Sequence, residues 1–521
     1  MFVGVQLIGA VASSAGPATA GTRWIEPPAE IYQFSPAQNV IHIVLDEFQS
    51  DVFTEILHQD RAALDRTFSG FVYFQDHAAA SPTTSMSMPA MLTGLAYRND
   101  VIAPEFVRDA FKRSSIFEKV SRAGYDVDAM SIVPTASFED WIGPEAAPNW
   151  KGARFRIRKP FISQEDYREV SSRQLLELSL FRHVPHAAKV FSVERPDAFY
   201  RPIWMDRGDS PAQIRRHEAS NSVAFIEHFA GLMSVGRDRP VYKLLHVGVP
   251  HRPVVVDRDC RFIGGTAMSR QSYTGQSRCA VKLVGELLDR VRALGIYDSS
   301  LIIVSSDHGT DLSPLGFNGI SDSLSLVPGP STSRLPATVG SAKAIMFIKP
   351  PQRTGPILIS DAPTSHIDLP ATILDILNLP GGTPEESMLR RDAKQPRTRI
   401  YGMYDPRQRF PKEFLDRLDL LSIDGRMLDA ASWHVQRSIW NPRARLEDRD
   451  IDVGPREVHR YLGPGWSFGQ HEPARTGGEV TFAQQVTAKA VLYASLPLRS
   501  EERRVGKECG YQCRSRWSPY H

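Results

Sequence analysis

The stretch Leu301-Ile302-Ile303-Val304-Ser305-Ser306-Asp307-His308-Gly309 constrains the fold more than any other part of the chain. Its apolar, mostly β-branched start offers no polar face to water. It therefore reads as a strand buried on both sides, as in a parallel sheet covered by helices. The run ends abruptly in an acid, an imidazole and a glycine. In open α/β sheets the carboxyl ends of strands are where ligands bind, and a carboxylate beside an imidazole suits a divalent cation. Taken alone, Asp307-His308-Gly309 is equally a strand-to-loop turn, so its meaning depends on what else the chain brings to it.

The same pattern recurs. Val40–Leu45, Phe71–Phe74, Tyr125–Ile132, Val241–Val247 and Ala344–Lys349 read as further strands. Apolar residues at helical spacing predict helices over Val52–Phe68, Val107–Val120, Ala219–Met233 and Cys279–Leu294, the first and last stopped by Gly70 and Gly295. Ser365–Leu377 predicts another, with Pro370 in its first turn. Strands alternating with helices predict an α/β fold with a mostly parallel central sheet. The pattern changes after residue 380. A polar linker at 381–397 leads into short strand-like runs rich in arginine, a small C-terminal subdomain over 381–498.

Composition narrows the classes of function. Hydrophobic residues at 42% and charged residues at 23% are those of a globular protein, and a net charge of +3 without basic-aromatic clusters argues against a nucleic-acid partner. Residues 1–21 begin with an apolar run and carry Ala18-Thr19-Ala20, a cleavage-like pattern. They read as an atypical signal peptide or a truncated transmembrane segment; either puts the rest of the chain outside the cytoplasm. A Pro-rich linker follows at 22–38, residues 135–215 read as an insertion, and Ser313–Val339 as a loop over the strand ends. Residues 499–521 fit no periodic pattern and read as a non-native tail. Cys260 and Cys279 form a disulfide in an oxidising compartment and are two thiols otherwise.

Chemistry-bearing side chains collect at predicted strand ends. Asp46-Glu47 follows the strand at Val40, His251 lies between Pro250 and Pro253 after the strand at Val241, and Asp307-His308 ends the run at Leu301. His366 follows the strand at Ala344. Ala78–Gly94 is rich in small and hydroxyl residues, and a short helix starting at Thr84 or Ser85 would hold a hydroxyl near free backbone N–H groups and the positive end of the helix dipole.

These motifs, in this order, resemble the alkaline phosphatase superfamily, specifically its sulfatase-like branch. Asn39–Glu47 (NVIHIVLDE) resembles the opening strand with its metal-binding acids, Ile303–Gly309 (IVSSDHG) the second metal motif, and Pro250-His251-Arg252-Pro253 the substrate-side P-H-x-P. Ser365–Leu377 (SHIDLPATILDIL) is similar to the segment that follows. The resemblance covers residues 39–380 and implies a three-layer α/β/α sandwich. One departure is informative. Aligned on Leu92-Thr93-Gly94, the position of the sulfatase Cys or Ser that becomes formylglycine is Thr84, with Met88 in place of the signature Arg. Threonine cannot become formylglycine. A Thr nucleophile instead resembles lipid A phosphoethanolamine transferases and lipoteichoic acid synthases; Thr83 is the neighbouring alternative.

The resemblance implies roles. Asp46, Glu47, Thr84, Asp307 and His308 would hold a divalent metal ion (Zn, Mn or Ca). Thr84 would also be the nucleophile, and His251 and His366 would contact substrate oxygens or the leaving group. The implied activity is that of a metal-dependent hydrolase or transferase acting on phosphoryl-linked groups of an envelope lipid or polysaccharide, from a membrane-anchored or exported catalytic domain. A sulfuric ester hydrolase and a non-catalytic envelope regulator are the alternatives.

Overall fold

The strand at Leu301 lies inside the central sheet, parallel to the strand at Asn39 on one side and antiparallel to the strand at Met346 on the other. In a computed structural model, residues 29–133, 150–154, 218–317, 334–405, 414–440, 466–468 and 480–482 are described. The expectations for residues 1–21, most of 135–215 and 499–521 lie outside these. The main elements, in chain order, begin with β1 (Asn39–Leu45), α1 (Ser50–Gln59), β2 (Val72–Phe74), α2 (Thr84–Thr93), α3 (Ala103–Ser114), α4 (Ile116–Arg122), β3 (Asp126–Ser131) and β4 (Trp150–Arg154). They continue with α5 (Glu218–Leu232), β5 (Val241–Val247), α6 (Arg270–Ala293), β6 (Leu301–Ser305), α7 (Arg334–Ala342), β7 (Met346–Lys349), β8 (Leu358–Ser360) and α8 (Leu369–Ile376). Last come β9 (Arg399–Met403), β10 (Arg417–Ile423) and β11 (Trp433–Trp440).

The central sheet has the order β8-β2-β7-β6-β1-β5-β3-β4. Every pairing is parallel except those of β7, which runs antiparallel to β6 and to β2. Strict alternation of side chains gives β1 two apolar faces. Ile41, Ile43 and Leu45 join a core with α1, α5 and α6, while Val40 and Val44 join a second core with α2, α3, α4 and α8. β6 divides likewise, Ile302 and Val304 to one core and Leu301 and Ile303 to the other. This is the expected α/β architecture, a sheet between two helical layers.

Register fixes what the strand ends share. Leu301 pairs with Val40 and Ser305 with Val44, while Asn39 pairs with Val241 and Leu45 with Val247. The loops after β1, β5 and β6 therefore leave the sheet side by side. His42, buried in the middle of β1, is met by the flanking strands: its ring nitrogens lie 3.0 Å from the Tyr242 hydroxyl and from Ser305 Oγ.

Some elements differ from the sequence expectation. The helix predicted over Val52–Phe68 is broken at Asp60, whose φ of −124° and ψ of 30° are not helical, into Ser50–Gln59 and Arg61–Thr67. The helix predicted over Val107–Val120 divides at Ser115, whose side chain caps α4 by accepting from Phe117 N. α6 starts earlier than Cys279, at Arg270, behind a capping box of Ser269 and Ser272. Its first half buries polar side chains, Gln276 and Ser277 among them, so hydrophobic periodicity does not reveal it. Part of the stretch read as a loop, Ser313–Val339, belongs to α7. Cys260 and Cys279 are joined by a disulfide.

Downstream, β9, β10 and β11 form an antiparallel sheet. Tyr401, Leu421, Ile423 and Trp433 pack it against Ala78, Ala79 and Val339 of the main body.

Candidate metal centre

Asp46 is the first residue past β1, and its backbone N–H donates to the Val247 carbonyl at 2.9 Å, which extends the β1–β5 pairing one step. Asp307 follows β6 and is fully buried. Its Oδ1 accepts from the backbone N–H of Glu47 at 3.0 Å and of His308 at 2.9 Å. Its Oδ2 is buried, and among the described residues no donor lies within hydrogen-bond geometry of it. His308 Nδ1 lies 2.8 Å from the Gly309 carbonyl, which can only accept, so Nδ1 carries the proton. In the neutral ring the Nε2 lone pair then faces Asp307 Oδ2 at 3.5 Å and Asp46 Oδ1 at 3.7 Å.

Three electron-rich atoms turned toward one another in a buried place repel unless a cation lies among them. One ligand atom each from Asp46, Asp307 and His308 falls within a 4.8 Å cluster. Two carboxylate oxygens and an imidazole nitrogen suit zinc or manganese. These residues therefore fit a divalent metal ion. Burial pushes the Asp307 carboxyl up, but His308, His246, the Glu47 N–H and the Thr84 hydroxyl outweigh it and hold it below the ordinary range, in the charged form a ligand needs.

Thr84 is the first residue of α2, and only 6% of it is exposed. Its Oγ1 lies 3.5 Å from Asp46 Oδ2. Thr83, the N-cap, turns away: its hydroxyl meets Ser85 Oγ at 3.2 Å and the Tyr404 hydroxyl. Of the two threonines, Thr84 is the one beside the carboxylates.

Glu47 is not brought into this group. Its φ of 62° is left-handed, which swings its side chain off the course of Asp46. Its carboxylate accepts from Arg252 Nε at 2.7 Å and from Arg252 N at 3.0 Å, and lies 3.6 Å from His251 Nε2. Burial raises its pKa, but His251, Arg252 and His308 more than reverse this and bring it down to about 2. His251 stands at the rim, its side chain 28% exposed. The loop carrying it is pinned by Gln276, whose Nε2 donates to the Pro250 and His251 carbonyls at 2.9 Å each and whose Oε1 accepts from Val255 and Val256 N–H. Arg252 also reaches Asp311 at 3.0 Å.

His366 does not reach the cluster of ligand atoms; it is fully buried, with its nitrogens turned to Ser306 O, Ser87 Oγ and Ala80 N. A residue that sequence reasoning missed is His246 in β5. Its Nε2 lies 3.6 Å from Asp46 Oδ2 and its Nδ1 3.0 Å from Ser131 Oγ. Burial, first of all, lowers its pKa to about 4, so the ring is neutral. An imidazole near the carboxyl end of a fully buried strand was the available signal.

Gly309 completes the motif for a steric reason. A Cβ there would lie 2.1 Å from the Gly340 carbonyl oxygen and 2.7 Å from that of Lys343. Gly340 is packed as tightly, its Cβ position 2.1 Å from the Leu312 carbonyl oxygen. The two glycines let the loop after β6 lie against the end of α7.

A parallel-sheet edge that gathers two acids, an imidazole and a helix-starting hydroxyl belongs to the class of α/β hydrolases and group transferases. Within that class the chain belongs to the sulfatase family, whose profile, described as Sulfatase, matches residues 38–379. It is a sulfatase-like member of the alkaline phosphatase superfamily. Several solved structures are similar. A phosphonate monoester hydrolase from Silicibacter pomeroyi shares 16% identity over 74% of this chain and 89% of that one, with a TM-score of 0.41. The C-terminal periplasmic domain of EcEptC from Escherichia coli shares 11% over 71% and 90%, with a TM-score of 0.41. The lipoteichoic acid synthase LtaP from Listeria monocytogenes shares 14% over 75% and 86%, with a TM-score of 0.40. No curated protein matches the chain.

Proposed function

We propose that the chain is a metal-dependent hydrolase or transferase of phosphoryl-linked groups, with Thr84 as nucleophile. The observation that carries this reading is the Thr84 hydroxyl, 3.5 Å from Asp46 Oδ2 beside a buried cluster of ligand atoms, where a sulfatase would need a residue convertible to formylglycine. Asp46, Asp307 and His308 would hold the ion, with Thr84 Oγ1 next to it. A divalent ion there would lower the hydroxyl's pKa and offset the charge of the substrate's oxygens.

The chain's own residues do the rest. Thr84 Oγ1 attacks phosphorus, forming one P–O bond as the bond to the leaving oxygen breaks. Asp46 Oδ2 is placed to take the hydroxyl proton. His251, at the rim, is placed to protonate the departing oxygen. The start of α2 would offer the positive end of the helix dipole to the phosphoryl oxygens. Water or an acceptor hydroxyl then attacks the phospho-threonine and restores Thr84. Arg252, between Glu47 and Asp311, shapes the rim on the substrate side.

We further propose an extracytoplasmic setting and an envelope lipid or polysaccharide substrate. The Cys260–Cys279 disulfide supports an oxidising compartment. Among the described residues no helix is long and apolar enough to cross a membrane.

The test is peptide mass mapping after incubation with envelope lipids and with a chromogenic phosphodiester. The expected result is a phosphoryl-containing adduct on the Thr84 peptide and loss of turnover in Thr84→Ala. Full turnover in Thr84→Ala, or an adduct elsewhere, would refute the assignment. Turnover of a sulfate ester alone would move the substrate class to sulfate.

A further inference from the structure

His366 sits where four segments meet. Its Nε2 lies 3.0 Å from the carbonyl of Ser306, the residue before Asp307. Its Nδ1 lies 3.3 Å from the Ala80 backbone N and 3.0 Å from Ser87 Oγ in α2. A carbonyl only accepts and an amide N–H only donates, so these partners fix a neutral ring protonated at Nε2. Ser87 Oγ is in turn 2.5 Å from the carbonyl oxygen of Asp307. Its single proton serves that carbonyl or the imidazole, one at a time. His77 lies against the ring at a centroid distance of 5.0 Å, with its own Nδ1 3.0 Å from Thr364 Oγ1.

We infer that His366 is a positioning residue, which sets the start of α2, and with it Thr84, against the loop carrying Asp307 and His308. The inference rests on the metal-centre reading above. The planar ring spans the gap between a donor on one side and an acceptor on the other, and its two nitrogens cannot drift independently. Asparagine reproduces only the near acceptor and glutamine only the far donor. A second proton, on Nδ1, would set two donors against each other at Ala80. Burial keeps that proton off, lowering the pKa to about 4. The ring therefore orients the reacting groups without exchanging protons with a substrate.

The test compares wild type with His366→Phe, His366→Gln and His366→Asn. Zinc and manganese affinities are read by competition with a chromogenic chelator. Amide hydrogen exchange is read over Thr84–Ser87 and Asp307–Gly309 on the same samples. Loss of a partner behind a metal ligand weakens binding by about 10–100-fold. That loss is expected for His366→Phe, with faster exchange confined to the two segments. Gln is expected to restore the loop segment and Asn the α2 segment. Unchanged affinity and exchange in His366→Phe would overturn the inference, as would acceleration spread evenly over the sheet. If the Phe variant does not fold, wild-type affinity in both Gln and Asn variants overturns it. If wild type itself binds neither ion, the metal-centre reading fails. Exchange then decides alone: selective acceleration supports the positioning role and unchanged exchange removes it.

Discussion

Replacing Gly309 with alanine probes the seam behind the loop that carries Asp307 and His308. The new Cβ would stand 2.1 Å from the Gly340 carbonyl oxygen and 2.7 Å from the Lys343 carbonyl oxygen. Both are backbone atoms, and the Gly309 N–H already donates to the Ser341 carbonyl at 2.7 Å, so no side-chain rotation relieves the clash. Restoring van der Waals contact requires a retreat of roughly 1 Å. Asp307 and His308 would move with the loop while Asp46 stays with β1. Metal–ligand distances hold to within about 0.2 Å, so such a shift should weaken zinc binding by at least the ~10–100-fold seen for lost supporting contacts. Overpacking should also cost about 1–3 kcal/mol of stability. The assay is chelator competition for affinity and urea denaturation for stability. Gly275→Ala is the control: it lies in α6, where a Cβ meets no atom of the described residues within 4 Å, and should gain about 0.5–1 kcal/mol with metal binding intact. Wild-type affinity and an unchanged urea midpoint in Gly309→Ala would refute the reasoning.

Two further perturbations test the polar framework. Arg252→Ala removes the guanidinium bound to buried Glu47 and should cost about 1–3 kcal/mol, read as a lower urea midpoint; an unchanged midpoint would contradict the pairing. His42, whose pKa burial lowers to about 3, stays neutral in the fold while the unfolded chain takes up a proton near the ordinary value of about 6.5. Its stabilising effect is whole above that pH and declines by up to about 1.4 kcal/mol per pH unit as pH falls toward the folded value. His42→Leu should be less stable than wild type at neutral pH and lose less stability between pH 6 and pH 4; parallel acid profiles would refute this.

The parts of the fold legible in the sequence were those where burial acts on every residue of a short run. β1, β5 and β6 are mostly apolar and buried along their whole length because helices cover both faces, and such runs announce themselves without periodicity. Asp46, Asp307 and His308 were legible because the chain changes chemistry abruptly where a strand ends. What escaped depended on backbone direction or on partners distant in sequence. Glu47 follows Asp46 directly, yet a left-handed φ sends it to Arg252. His366 lies in a motif that follows the site, yet the fold buries it behind α2. His246 is hidden inside a fully buried strand. The break at Asp60 and the early start of α6 were lost because helical periodicity runs through the first and polar burial masks the second.

The antiparallel sheet of β9–β11 lies beyond residues 38–379, the span that matches the family. Even so, Arg399 pairs with Asp76 at 3.0 Å, and the Tyr404 hydroxyl meets Thr83 at the threshold of α2. A chimera joined near residue 380 would thus pair α2 with a foreign wall. For anyone exchanging modules between related enzymes, the serviceable joint lies after β11, and the boundary drawn by sequence similarity cuts through a bearing surface.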